Sequence, residues 1–202
     1  MVPYAIAGAI LSELLFSKRI MIDESKKKKP VHCIDSTPMG EPLIDRCLEM
    51  ISLTKKPKSL QTWISRFANI KKLNHRVAEA LCSKGILRAD EDKILMIFTR
   101  KIYPEVNPEP EKKLIERLQG AIFAEVGDID PRTVVLISLA KSSDLLKVIF
   151  DKKKLKEQKK RIKQIANGEI IGKATQEAIA AMHSAVMVAC IMPAITATAV
   201  NR

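Results

Sequence analysis

A chain of 202 residues with 47% hydrophobic content can bury one sizeable core, so a single domain is the default expectation. Lys+Arg 35 against Asp+Glu 23 leaves a formal charge of +12, which favours polyanionic partners such as an anionic membrane surface or nucleic acid. Aromatic content of only 4% provides no basic-and-aromatic platform for stacking bases, which counts against a single-strand or RNA binder.

Along the chain, Tyr4 to Ser17 carries Ile6, Ile10, Leu11, Leu14 and Leu15 at helical spacing and reads as a buried helix. It lacks a basic leading region and contains Glu13, so it does not read as a signal peptide. Ile20 to Ile22 and Val31 to Ile34 read as a hairpin tipped by Lys26, Lys27, Lys28 and Lys29, four lysines expected to repel one another and stay solvated. A turn at Pro38 and Gly40 opens a second helix with Leu43, Ile44, Cys47, Leu48 and Ile51 on its apolar stripe. Ser59 caps a third helix through Trp63 and Phe67, and a fourth runs from about Ile70 to Ser83 with Gly85 as its stop.

Ile86 to Arg88 and Ile94 to Phe98 read as a second hairpin joined by Asp90, Glu91 and Asp92. Pro104, Pro108 and Pro110 forbid regular structure until Lys112. Helices are then expected over Lys112 to Phe123, Arg132 to Lys141 after Pro131, and about Asp144 to Gln164. From Ala178 to Asn201 there is no formally charged residue, a length that spans a bilayer; its many alanines, with His183, Ser184 and Pro193, favour a buried helix instead. The fold class is therefore mainly α, a single helical-bundle domain with two small β-hairpins.

Signals of chemistry are sparse. No GxGxxG, Walker-type loop, GxSxG or HExxH occurs. Cys33, Cys47, Cys82 and Cys190 are widely separated among apolar neighbours, which points to a reduced, cytosolic-facing chain. His32 beside Cys33 has no second ligand pair at zinc spacing, so no metal is expected. Asp45 with Glu49 reads as the polar side of a helix and Asp90 with Asp92 as a turn, so no catalytic residue is assigned. Glu13 interrupts an apolar face and needs a partner, Arg19 or another basic group. Basic clusters are Lys26 to Lys29, the set Lys71, Lys72, His75 and Arg76, and the run Lys152 to Lys163, whose narrow apolar stripe leaves most of its charge to solvent.

Four blocks in order, YAIAGAILSELL, TPMGEPLIDRCL, HRVAEALCSKGIL and DPRTVVLISLAKSSDLL, make the chain resemble the Golgi phosphoprotein 3 family, and the first and last are more similar to its bacterial members. The resemblance implies a peripheral membrane protein rather than an enzyme, with no cofactor, that binds phosphatidylinositol 4-phosphate through a shallow basic pocket. Matching the motifs puts Ala7 at the family's first arginine position, and Lys71 and Asn74 at its two basic positions three apart. Lys71, Lys72 and Asn74 are accordingly the expected headgroup-binding residues, and Lys26, Lys27, Lys28 and Lys29 the membrane-surface basic loop. The family's membrane-inserted tryptophan would precede Met1, as if the opening segment were absent, and Trp63 is expected in the core. The resemblance further implies an adaptor for the cytosolic tails of membrane enzymes, and a homo-oligomer formed through the hairpin at Ile86 to Phe98. The location implied is cytoplasmic and peripheral on a membrane, the Golgi cytosolic face in a eukaryote. The alternative is a nucleic-acid-binding protein driven by charge.

Overall fold

A computed structural model describes residues 2–94, 98–124, 129–169 and 184–191, and it is mainly helical with small antiparallel sheets. The first helix, α1 (Val2–Phe16), is apolar on nearly every side and is accordingly surrounded. It packs against α2 (Pro42–Ser52), α3 (Leu60–Ala68) and α6 (Pro131–Ser142). Ala7, Leu11 and Leu14 are fully sealed, and the hydroxyl of buried Ser12 donates to the carbonyl of Gly8 at 2.9 Å, so no polar group is orphaned there. The helix closes with Lys18 in the left-handed region at φ 55, while the Arg19 N–H reaches the Leu14 carbonyl and the Lys18 N–H that of Leu15.

Gly8 is where α1 is approached most closely. A side chain there would lie 2.8 Å from Ala189 Cβ and 2.9 Å from Leu139 Cδ2, so only glycine admits both α6 and the helix over residues 184–191. That helix is the described part of the uncharged segment beginning at Ala178, and it buries Ala185, Val186 and Ala189. The remainder of the segment lies outside the described residues. No described helix is long and apolar enough to cross a membrane.

The first hairpin forms as expected, β1 (Ile20–Ile22) pairing antiparallel with β2 (Pro30–Cys33). A third strand absent from the sequence reading, β3 (Lys58–Ser59), adds to β2 with Val31 opposite Lys58. Ser59 then caps α3 by accepting the Thr62 N–H at 3.2 Å, and Trp63 and Phe67 of that helix are fully buried.

Three boundaries differ from the sequence reading. Helix α4 (Leu73–Ser83) starts after Lys72 instead of near Ile70. The second hairpin pairs β4 (Asp90–Ile94) with β5 (Phe98–Ile102), so Asp90, Glu91 and Asp92 lie in a strand and not in its turn. Opposite-charge pairing favours the shift, since the register sets Glu91 against Lys101. Helix α5 (Glu109–Phe123) begins before Lys112 because Pro110 sits in its first turn, where the missing N–H costs nothing.

Beyond α6, capped by Asp130 on the Thr133 N–H at 3.0 Å, the expected long helix is three short ones. These are α7 (Leu146–Ile149), α8 (Lys152–Glu157) and α9 (Lys159–Ala166). Asp144 at φ 60 turns the chain out of α6, and Asp151 starts α8 afresh by accepting the N–H groups of Lys153 and Lys154. Ile162, Ile165 and Ala166 seat α9 on α6, and Arg161 Nε ties it to the Ala121 carbonyl of α5 at 3.0 Å.

Candidate functional site

The turn between α3 and α4 carries the headgroup residues expected from the sequence. Leu73 is buried and pins the turn, Lys72 adopts a left-handed backbone at φ 58, and Lys71, Lys72 and Asn74 all face solvent. Arg76 Nε donates back to the Lys71 carbonyl at 3.2 Å, which fixes the turn and occupies that guanidinium. His75 Nδ1 lies 3.2 Å from the Tyr103 hydroxyl. The ammonium groups of Lys71 and Lys72 make no ion pair among the described residues, so at this turn they are open to an anionic ligand. Ala7, at the family's first arginine position, is 0% exposed in α1 and offers a ligand nothing.

The lysine loop between β1 and β2 is less free than its sequence suggests. Lys26 pairs with Asp23 at 3.1 Å and Lys29 with Glu24 at 2.7 Å, and Lys29 Nζ also donates to Ser184 at 2.8 Å. The Asp23 carboxyl is held below its ordinary range by the Ser25 hydroxyl and by Lys26. Local acids thus relieve the mutual repulsion at two of the four lysines; Lys26, Lys27 and Lys28 stay solvated as expected, and half-buried Lys29 is the departure. Lys27 and Lys28 remain exposed, and with Lys29 and Lys58 they line an open cleft of about 790 Å³ over the start of α3. Lys58 was missed in sequence because only its pairing with Val31 brings it there. Nine residues of α3, roughly 13 Å at helical rise, separate this cleft from the turn at Lys71. The two clusters are therefore at opposite ends of one helix and do not converge on one pocket.

The third cluster surrounds a cavity of about 570 Å³ between the end of α6 and helices α7 to α9. Lys141, Lys147, Lys152, Lys156 and Lys159 line it together with Leu146, Leu155 and Ile162. Its single acid, Asp144, is already paired with Lys147 at 2.6 Å. As expected, the lysines of the run face solvent; Arg161, tethered to α5, is the half-buried exception.

Groups that suggested chemistry in the sequence have structural partners. Asp45 accepts the N–H groups of Met39 at 2.6 Å and Gly40 at 3.1 Å, clamping the turn that opens α2. Glu13 takes both Nε and Nη2 of Arg132, at 3.2 and 2.9 Å, whereas Arg19 pairs with Asp35. Its partner is therefore the other basic group, not Arg19, and the same guanidinium stacks 4.7 Å from the Phe16 ring centre. His32 and Cys33 are successive in β2 and point to opposite faces. No cluster of three or more metal-ligating side chains occurs among the described residues. Burial pushes the Cys47 thiol up to about 12 and raises those of Cys33 and Cys190 as well.

Fold and surface together define a mainly helical protein whose candidate sites are exposed lysine clusters rather than a cleft of paired acid, base and nucleophile. A family model described as Golgi phosphoprotein 3 (GPP34) matches residues 1–182, and the chain belongs to that family. It is also 27% identical, over 147 residues, to the vacuolar protein sorting-associated protein 74 of Schizosaccharomyces pombe. The aligned region is 64% of this chain and 43% of that protein, so the chain spans less than half the length of the curated relative it matches.

Proposed function

We propose that this protein is a non-catalytic peripheral membrane protein of one domain that binds anionic phospholipid headgroups, phosphatidylinositol 4-phosphate by family membership. Lys71 and Lys72 are the primary headgroup contacts, with Asn74 beside them and the loop Lys26 to Lys29 adding charge at the membrane surface. The observation that carries the reading is that Lys71 and Lys72, on a turn held by buried Leu73, are exposed and make no ion pair among the described residues. A role as adaptor for cytosolic tails of membrane enzymes belongs to the same reading, at the cytosolic face of the Golgi in a eukaryotic cell.

Vesicle flotation tests it, using neutral vesicles, vesicles with a general acidic phospholipid and vesicles with phosphatidylinositol 4-phosphate. Each lysine near an anionic leaflet contributes on the order of 1 kcal/mol, so Lys71→Ala with Lys72→Ala is expected to weaken binding roughly 30-fold at low salt. High salt screens exposed charges and removes most of what remains. Indifference to every acidic vesicle at low salt, alongside steeply salt-dependent binding to duplex DNA, would replace this reading with nucleic-acid binding.

A further inference from the structure

We infer that helices α7 to α9 form a second membrane-docking surface, in which Val148 and its neighbours on α7 enter the acyl boundary of an anionic leaflet while the lysines rimming the adjacent cavity hold a phospholipid phosphate. The inference rests on the protein meeting anionic membranes, but not on Lys71 or Lys72 being the contact.

Three observations converge on it. First, Val148 is 82% exposed, more than any other large hydrophobic side chain described, and Leu145 and Ile149 beside it are also exposed. An apolar group so placed serves little packing among the described residues. Second, the helix presenting it is firmly seated: Leu146 is 4% exposed, and Phe150 meets Phe123 edge to face with ring centres 5.4 Å apart. A short anchored helix with its apolar side outward is a wedge, not a frayed end. Third, the cavity next to it joins an apolar floor of Leu146, Leu155 and Ile162 to a lysine rim, of which only Lys147 has an ion pair among the described residues.

That combination selects the occupant. A nucleic acid would use the lysines but leave Val148 without purpose, and no aromatic side chain lines the cavity to stack a base. A soluble phosphate would need neither the apolar floor nor the wedge. A phospholipid at the surface of a bilayer uses all three, its phosphate near the ammonium groups and its glycerol and upper acyl carbons over the leucines and isoleucine. The charge complementarity is strong, since the one carboxylate at the rim is neutralised internally by Lys147.

Trp63 is fully buried, so a tryptophan placed at position 148 reports against a constant background. Val148→Trp is expected to lose emission by quenching when acidic vesicles with brominated acyl chains are added, and to be unaffected by neutral brominated vesicles. Lys152→Gln, Lys156→Gln and Lys159→Gln together are expected to reduce flotation with acidic vesicles at least tenfold, and Val148→Asp by about tenfold. If the wild-type protein floats and loses affinity with Lys71→Ala and Lys72→Ala, yet Val148→Trp is not quenched and both α7–α9 variants float normally, this surface is overturned and the headgroup reading stands. Wild-type protein that ignores every acidic vesicle overturns both. A fall in thermal midpoint for Val148→Asp, without loss of flotation, means another segment of the chain covers α7 and also overturns the inference.

Discussion

Cys47 is fully enclosed in the core, and its thiol, pushed up to about 12 by burial and only partly eased by Arg46, stays protonated in the folded protein. Unfolded, it ionises near the ordinary value of 9.0. The native state therefore holds a proton that the unfolded state releases, so this stabilising contribution is complete below about pH 9 and is lost as pH rises toward 12. The loss proceeds at about 1.4 kcal/mol per pH unit. Urea unfolding from pH 8 to 10 is expected to show the decline in the wild-type protein and a shallower one in Cys47→Ala; parallel slopes would remove the thiol from the account. Glu13 shows how far single residues can be read without coordinates. Its need for a partner follows from an acid in an apolar run, but Arg132 lies 119 residues away, beyond any local periodicity. Asp45 looked like half of a carboxylate pair, and only the folded turn shows it gripping Met39 and Gly40.

At the scale of elements, the crossing at Gly8 makes the sharpest demand. Gly8→Ala places a methyl group 2.8 Å from Ala189 Cβ and 2.9 Å from Leu139 Cδ2; the leucine tip can turn aside, but Ala189 Cβ is fixed to its backbone and yields little. Overpacking of this kind costs about 1–3 kcal/mol, so thermal unfolding of the variant is expected at a clearly lower midpoint. An unchanged midpoint would mean that residues 184–191 do not rest on α1. Helix positions were largely legible because apolar stripes, the Ser59 cap, Pro131 and the left-handed Gly85 are local signals, whereas the Asp130 cap was not read. Strands were less so. A two-residue strand such as β3 exists only because β2 is beside it, and the β4 register depends on its partner strand, where Glu91 meets Lys101. Periodicity also ran through Asp151 without registering that its carboxylate competes for backbone N–H groups and restarts the helix.

For the whole molecule, charge could be counted from sequence but not placed. The surplus of +12 includes lysine groups at both ends of α3 and around α7 to α9; local acids temper the loop group and Lys147, whereas Lys71 and Lys72 have no ion pair among the described residues. The candidate headgroup turn was legible as residues, while its geometry was not, because Lys72 was read as helical and is left-handed. Self-association belongs to this scale too. Strands β4 and β5 form a sheet of their own, and a lone hairpin in water is marginal, so pairing with a second copy offers it a stabilising edge. Gel filtration over a hundredfold range of concentration is expected to show a larger species at the upper end; a constant monomeric elution would exclude it.

The seating of Leu139 and Ala189 against Gly8 also bears on how the chain is made. On the ribosome α1 emerges well before two of the surfaces that shield it are synthesised. The face of α1 around Gly8 stays uncovered until α6 and residues 184–191 have followed it, so a nascent-chain chaperone that recognises apolar helices would engage Val2 to Phe16 over that interval.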